Sequence, residues 1–209
     1  MEEEPLTATA NEPAKPGRPR LTAPQAEAAR QLLAAVTDLK ADSEAQLLAL
    51  IIAARAAQQG QANLTSLDLR RYSDPQAALD TLAAGGWVSG DVSQIVGADP
   101  SQAFMVQAPG LTGLTTPPMG QGVRTRVSGW ITRTLAAKAL KKTDATTRLA
   151  ALYLILHADP LTGTGTLPDH LMAQVLDALD PGWITRDRDG GYQMAETTAG
   201  YLPAPHRQN

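Results

Sequence analysis

Apolar residues recur at helical spacing in several stretches of this chain, separated by breaks at glycine and proline. Pro24 to Lys40 carries Ala28, Leu32, Ala35, Val36 and Leu39 on one face. Ser43 to Gln59 is apolar nearly all round (Leu47, Leu48, Leu50, Ile51, Ile52), which predicts the most buried helix. Asp42 or Ser43 is placed to cap it and Gly60 to end it. Leu64 and Leu67 then predict a short helix closed by Arg70, Arg71 and Tyr72. Ser73 offers a hydroxyl N-cap to the next helix, with Asp74 and Pro75 in its first turn. Ala78, Leu79 and Leu82 form the buried stripe of that helix, and Gly85 and Gly86 stop it. Trp87 and Val88 begin a strand. Ser89 to Gly97 and Gln102 to Ala108 predict two strands around the loop Ala98 to Ser101. Pro109 to Gly122 has no period and reads as a linker.

The pattern restarts at Val123. A helix from Arg124 to Lys142 leads into a more apolar one from Asp144 to Ala158, with Leu149, Leu152, Tyr153 and Leu156 on one face. Gly163 to Gly165 breaks the chain. Leu176-Asp-Ala-Leu179 precedes Gly182-Trp183-Ile184, as Leu79-Asp-Thr-Leu82 precedes Gly86-Trp87-Val88. Asp189, Gly190 and Gly191 then suit a hairpin turn within Ile184 to Met194. The same order of elements twice predicts an internal duplication. The copies differ: Leu167 to Leu176 leaves less room for a positioning helix than Leu64 to Leu79. The second copy also carries Asp177 and Asp180 where a DNA-reading helix would want cations.

The stretch Gly60 to Val88 resembles the helix-turn-helix and first wing strand of a winged-helix domain, as in many bacterial transcription regulators. Taken with the duplication, the resemblance implies a mainly α fold with small β-hairpin wings, a tandem winged helix-turn-helix. Residues 1–23 form a Pro-rich arm, 24–108 the first unit, 109–122 the linker, 123–202 the second unit and 203–209 a tail. Within the arm, the cations Lys15, Arg18 and Arg20 around a Gly-Arg-Pro core are similar to an AT-hook, whose extended backbone lays arginine in a narrow minor groove. A basic Pro-rich linker is the plainer alternative for the same residues.

Composition narrows the chemistry. Of 209 residues, 43% are hydrophobic but only 4% aromatic, so the cores are built from Ala, Leu, Val and Ile. The absence of cysteine excludes disulfides, thiolate metal sites and cysteine nucleophiles. The N-terminus has no secretory pattern, and the longest apolar run, Leu47 to Ala54, is too short to span a bilayer. A net charge of −3 argues against indiscriminate coating of nucleic acid but allows one basic face. Alanine, arginine and aspartate richness with few lysines suggests a GC-rich bacterial genome.

Catalysis finds little support. His157, His170 and His206 lack metal-ligand spacing, and His157 reads as a cation favoured at the end of an apolar helix. Asp68, Asp74 and Asp80 recur every six residues and share no helix face. The Gly-Thr run from Gly163 to Thr166 lacks the lysine of a phosphate loop and reads as a flexible loop.

Binding is the stronger reading. In the docking usual for winged helices, Ser73 and Gln76 would enter the major groove, while Arg70, Arg71 and Tyr72 lie at the turn that touches phosphates. Gln76 can pair with adenine; Arg70 and Arg71 suit phosphate or guanine. Asp74 and Asp80 oppose the backbone charge. Arg124 and Arg126 begin a basic helix that continues through Arg133, Lys138, Lys141 and Lys142, either a second phosphate-contacting surface or a solvated face. The sequence thus points to a non-enzymatic, cofactor-free transcriptional regulator of the cytoplasm, associated with the nucleoid, that binds double-stranded DNA. A homodimer is implied by analogy with regulators reading two half-sites. The alternatives are a protein-interaction adaptor, as in the accessory subunits of chromosome-condensing complexes, and a plasmid or phage replication or partition protein.

Overall fold

Gln25 accepts the Thr22 amide at 3.0 Å and opens α1 (Ala23–Thr37) in the computed structural model, which describes residues 20–57, 59–90, 92–167, 173–179 and 182–205. Asp42, not Ser43, caps α2 (Ser43–Arg55), its carboxylate accepting from the Ala45 amide at 2.9 Å. α2 stops at Arg55, short of Gly60. That glycine (φ +76) instead turns the chain into β1 (Gln61–Leu64). Leu64 therefore closes a strand, and the short helix shrinks to α3 (Ser66–Leu69). The Asp68 carboxylate takes the Thr65 amide at 2.9 Å, which fixes where that helix starts and leaves Leu67 49% exposed. α4 (Pro75–Ala84) follows, capped by Asp74 rather than Ser73 through the Ala77 amide at 3.0 Å. Its stripe of Ala78, Leu79 and Leu82 is buried.

The predicted first wing is corrected. No strand starts at Trp87; only Ser89 pairs, in a single antiparallel bridge to Gln107. Ser93–Ile95 is a 3₁₀ turn that buries Ile95, where the alternating pattern had predicted a strand. The remaining strand is β2 (Phe104–Gln107), and its partner is β1, in the register Gln61 to Gln107 and Leu64 to Phe104. β2 thus lies between β1 and Ser89.

The stretch 109–122, read as a linker, is packed: Leu111, Thr115 and Met119 are buried. α5 (Gln121–Leu135) ends earlier than its apolar period suggests, and a 3₁₀ turn at Lys138–Leu140 follows. Asp144 caps α6 (Ala145–His157) on the Thr147 amide at 2.7 Å. Gly163 (φ +72) turns into β3 (Thr164–Thr166), so the Gly-Thr run is a strand rather than a loop. α7 (Ala173–Ala178), β4 (Ile184–Arg186) and β5 (Gly191–Met194) complete the chain, with sheet order β3-β5-β4.

Mixed α/β architecture, helices dominant and two small antiparallel sheets, is therefore the fold of the described residues. Each half repeats the same devices: an aspartate cap on the apolar helix, a positive-φ glycine before the first strand, and a last strand lying in the middle. The halves share one core. α2 packs against α1, α4, α5 and α6, while α5 lies chiefly on α2 and only lightly on α6. Cross-links tie them further. Arg30 Nε donates to Leu156 O at 2.8 Å, while within the second half Trp130 Nε1 donates to Tyr201 O at 2.7 Å. The Thr146 hydroxyl donates to that of Ser43 at 2.7 Å.

Candidate nucleic-acid interface

The turn between α3 and α4 is held from below by charged side chains of α2. Arg55 grips Asp68 with two hydrogen bonds of 2.7 Å each. Burial pushes the Asp68 carboxyl up, but Arg55 and the Thr65 amide outweigh it and hold the pKa below the ordinary aspartate value. Glu44 accepts the amides of Ser73 at 2.8 Å and Asp74 at 3.1 Å. Burial raises its pKa too, and those two amides reverse the shift. The turn is thus fixed before any ligand arrives.

Not every residue assigned to the site faces outward. Arg70 is exposed. Arg71 is half-buried, and its Nη1 is buried with no acceptor. Tyr72 is a core residue, 8% exposed, with its hydroxyl buried and unpartnered. Burial drives its phenol well above the usual value. A ring in the core cannot also touch a phosphate, so Tyr72 leaves the candidate set. Ser73 is exposed, but its amide is occupied by Glu44 and the capping role belongs to Asp74. Gln76 is half-buried and donates to Asp80 at 2.8 Å, so an adenine would have to displace that bond.

The other assigned cations are scattered. Arg20 is exposed at the start of the described chain, and Lys15 and Arg18 lie outside the described residues. Arg126 is exposed on α5. Arg124 is half-buried, donates to Met119 O at 3.2 Å, and lines a depression with Arg55, Gln61 and Met105 beside the first sheet. In the second half Arg186 is paired with Asp177, and the Asp187 carboxylate takes the amides of Asp189 and Gly191.

Sequence reasoning missed Arg148. Sited in the first turn of α6, it is 7% exposed, and its guanidinium donates to Arg71 O at 2.5 Å, Leu140 O at 3.1 Å and Lys141 O at 3.1 Å. Burial, then the neighbouring Arg71 charge, lowers its pKa; Tyr72, Glu44 and Asp144 oppose the shift. The available signal was a lone arginine on the apolar side of a helix, where an unpaired charge is costly. His157 is the last residue of α6. Its ring stacks on Tyr153 with centroids 3.9 Å apart, Nδ1 lies 2.9 Å from Tyr153 O, and burial holds its pKa down. The pair walls a groove of about 710 Å³ between α1 and α6, floored by Leu33, Leu149 and Ala150.

Among the described residues no cluster of His, Asp or Glu is placed to hold a metal ion, and no helix is long and apolar enough to cross a membrane. Compared with known proteins, the chain matches no family model, no curated sequence and no solved structure.

Proposed function

We propose that the chain is a double-stranded-DNA-binding protein of two winged-helix units, acting in the cytoplasm on the nucleoid as a transcriptional regulator through its first unit. The observation that carries this reading is a repeated topology with a basic turn inside its first copy. Each half runs apolar helix, short strand and helix, then closes on a strand that lies in the middle. That strand is flanked in the first half by β1 and the single Ser89 bridge and in the second by β3 and β4. In the first half, exposed Arg70 and half-buried Arg71 stand directly before α4, the position from which a helix-turn-helix engages backbone phosphates.

A protein-adaptor reading is favoured by one observation. The solvent side of α4 offers Ala77, Asp80, Ala83 and Ala84 but no cation. The two readings separate by salt. Fluorescence anisotropy against duplexes from the DNA flanking the protein's own gene, at about 50 and 200 mM salt, should give saturable binding that weakens steeply with salt. Arg70→Ala/Arg71→Ala should weaken binding at least about tenfold and flatten the salt slope by about 1 to 2, near 0.9 per lost phosphate contact. Failure to bind any duplex, or binding that the double variant leaves unchanged, would reject the regulator and send the search to protein partners.

A further inference from the structure

Two basic segments that are far apart in sequence meet at a single buried guanidinium. One edge of Arg148 holds the carbonyl of Arg71, at the turn before α4; the rest of the fork holds the carbonyls of Leu140 and Lys141, in the connector between α5 and α6. Arg70, Lys138, Lys141 and Lys142 are all exposed around this junction. The nearby carboxylates are engaged with backbone amides: Glu44 with Ser73 and Asp74, Asp74 with Ala77, Asp144 with Thr147. Arg71 Nη1 still lacks an acceptor. Each carboxylate keeps its charge, and Asp74 and Asp144 are exposed, but the cations Arg70, Arg71, Lys138, Lys141, Lys142 and Arg148 outnumber these three carboxylates and leave a face that attracts anions.

We propose that the turn 70–73 and the connector 138–142 form one phosphate-binding ridge that tracks the DNA backbone across both halves of the molecule, with Arg148 as its positioning residue. This rests on the DNA-binding reading above and extends it to the second half, whose own wing has its arginine Arg186 paired with Asp177. Only a planar fork of fixed N–H directions can hold three carbonyls on opposite sides at once; a lysine ammonium at the same place would lose that geometry while keeping the charge. Arg124 falls outside the ridge. It sits near the other end of α5, about 16 Å along the axis from Leu135 at 1.5 Å per residue, with its guanidinium turned to Met119 O.

The test is the salt dependence of binding to a fluorescein-labelled duplex from the gene-flanking DNA, for the whole chain and three variants. Lys138→Ala/Lys141→Ala/Lys142→Ala should weaken binding about ten- to a hundredfold at low salt and flatten the log–log slope by about 2 to 3. Arg186→Ala, which removes a wing arginine already paired with Asp177, should leave the slope unchanged. Arg148→Lys should lose several-fold in affinity and flatten the slope, because the two segments no longer hold register. If the wild-type chain binds and the triple variant keeps its slope and affinity, the ridge is overturned while DNA binding through the first unit stands. If Arg148→Lys lowers the melting temperature but leaves the slope and affinity of wild type, its role is structural and the positioning claim falls. A wild-type chain that binds no duplex removes the ridge and the reading beneath it together.

Discussion

The hydroxyl of Tyr72 is buried without a hydrogen-bond partner, among the charges of Arg71, Asp68, Arg148 and Arg55. A buried hydroxyl with no partner costs desolvation and gains nothing in return. Tyr72→Phe should therefore leave DNA affinity unchanged and raise stability by up to about 1 kcal/mol in urea denaturation; a loss of affinity would return the phenol to the interface. At this scale the sequence was a partial guide. Arg70 is legible because its exposure follows from a local turn, whereas the half-buried state of its neighbour Arg71 depends on packing that the turn does not specify. Arg148, Glu44 and Arg55 act on groups elsewhere in the chain, and no spacing rule connects Arg148 with the carbonyl of Arg71.

The long helices were legible as elements because their period of apolar residues and their caps are local. α2 and α6 both begin at an aspartate whose carboxylate takes an amide three residues on. Asp42→Ala and Asp144→Ala should each cost about 1 kcal/mol, read as a lowered denaturation midpoint with an unchanged slope. A pair that differed several-fold would mean that one cap does more than satisfy its helix. Strands were the weak point of the reading. Four residues with their partner some forty positions away, as for β1 and β2, carry too little alternation to be told from a helix turn. Leu64 and Leu67 are spaced like a helix face, and only the Asp68 bond to the Thr65 amide separates the strand from the helix that follows. The second hairpin was easier, because Asp189, Gly190 and Gly191 specify the turn itself.

For the molecule as a whole, the recurring order of elements was visible in the sequence and the packing of the two halves was not. Residues 109–122 look like a linker by composition, yet Leu111 and Met119 enter the core. α5 gives its buried stripe of Val127, Trp130, Ile131 and Leu135 to a core centred on α2 of the first half. One core should melt once: calorimetry should show a single transition with van't Hoff and calorimetric enthalpies equal, whereas two separable transitions would show that the halves fold independently.

The crossing of α5 onto α2 and α1 onto α6 also sets how the protein behaves when it is scarce. In a dimer of half-length chains, contacts of this kind would depend on concentration and loosen by mass action as copies became few. Joined in one chain, each helix meets its counterpart at an effective concentration fixed by the connecting backbone. The central core, and the angle it imposes between the two halves, thereby becomes independent of expression level, so a cell holding a handful of copies and one holding thousands would have a molecule of the same shape.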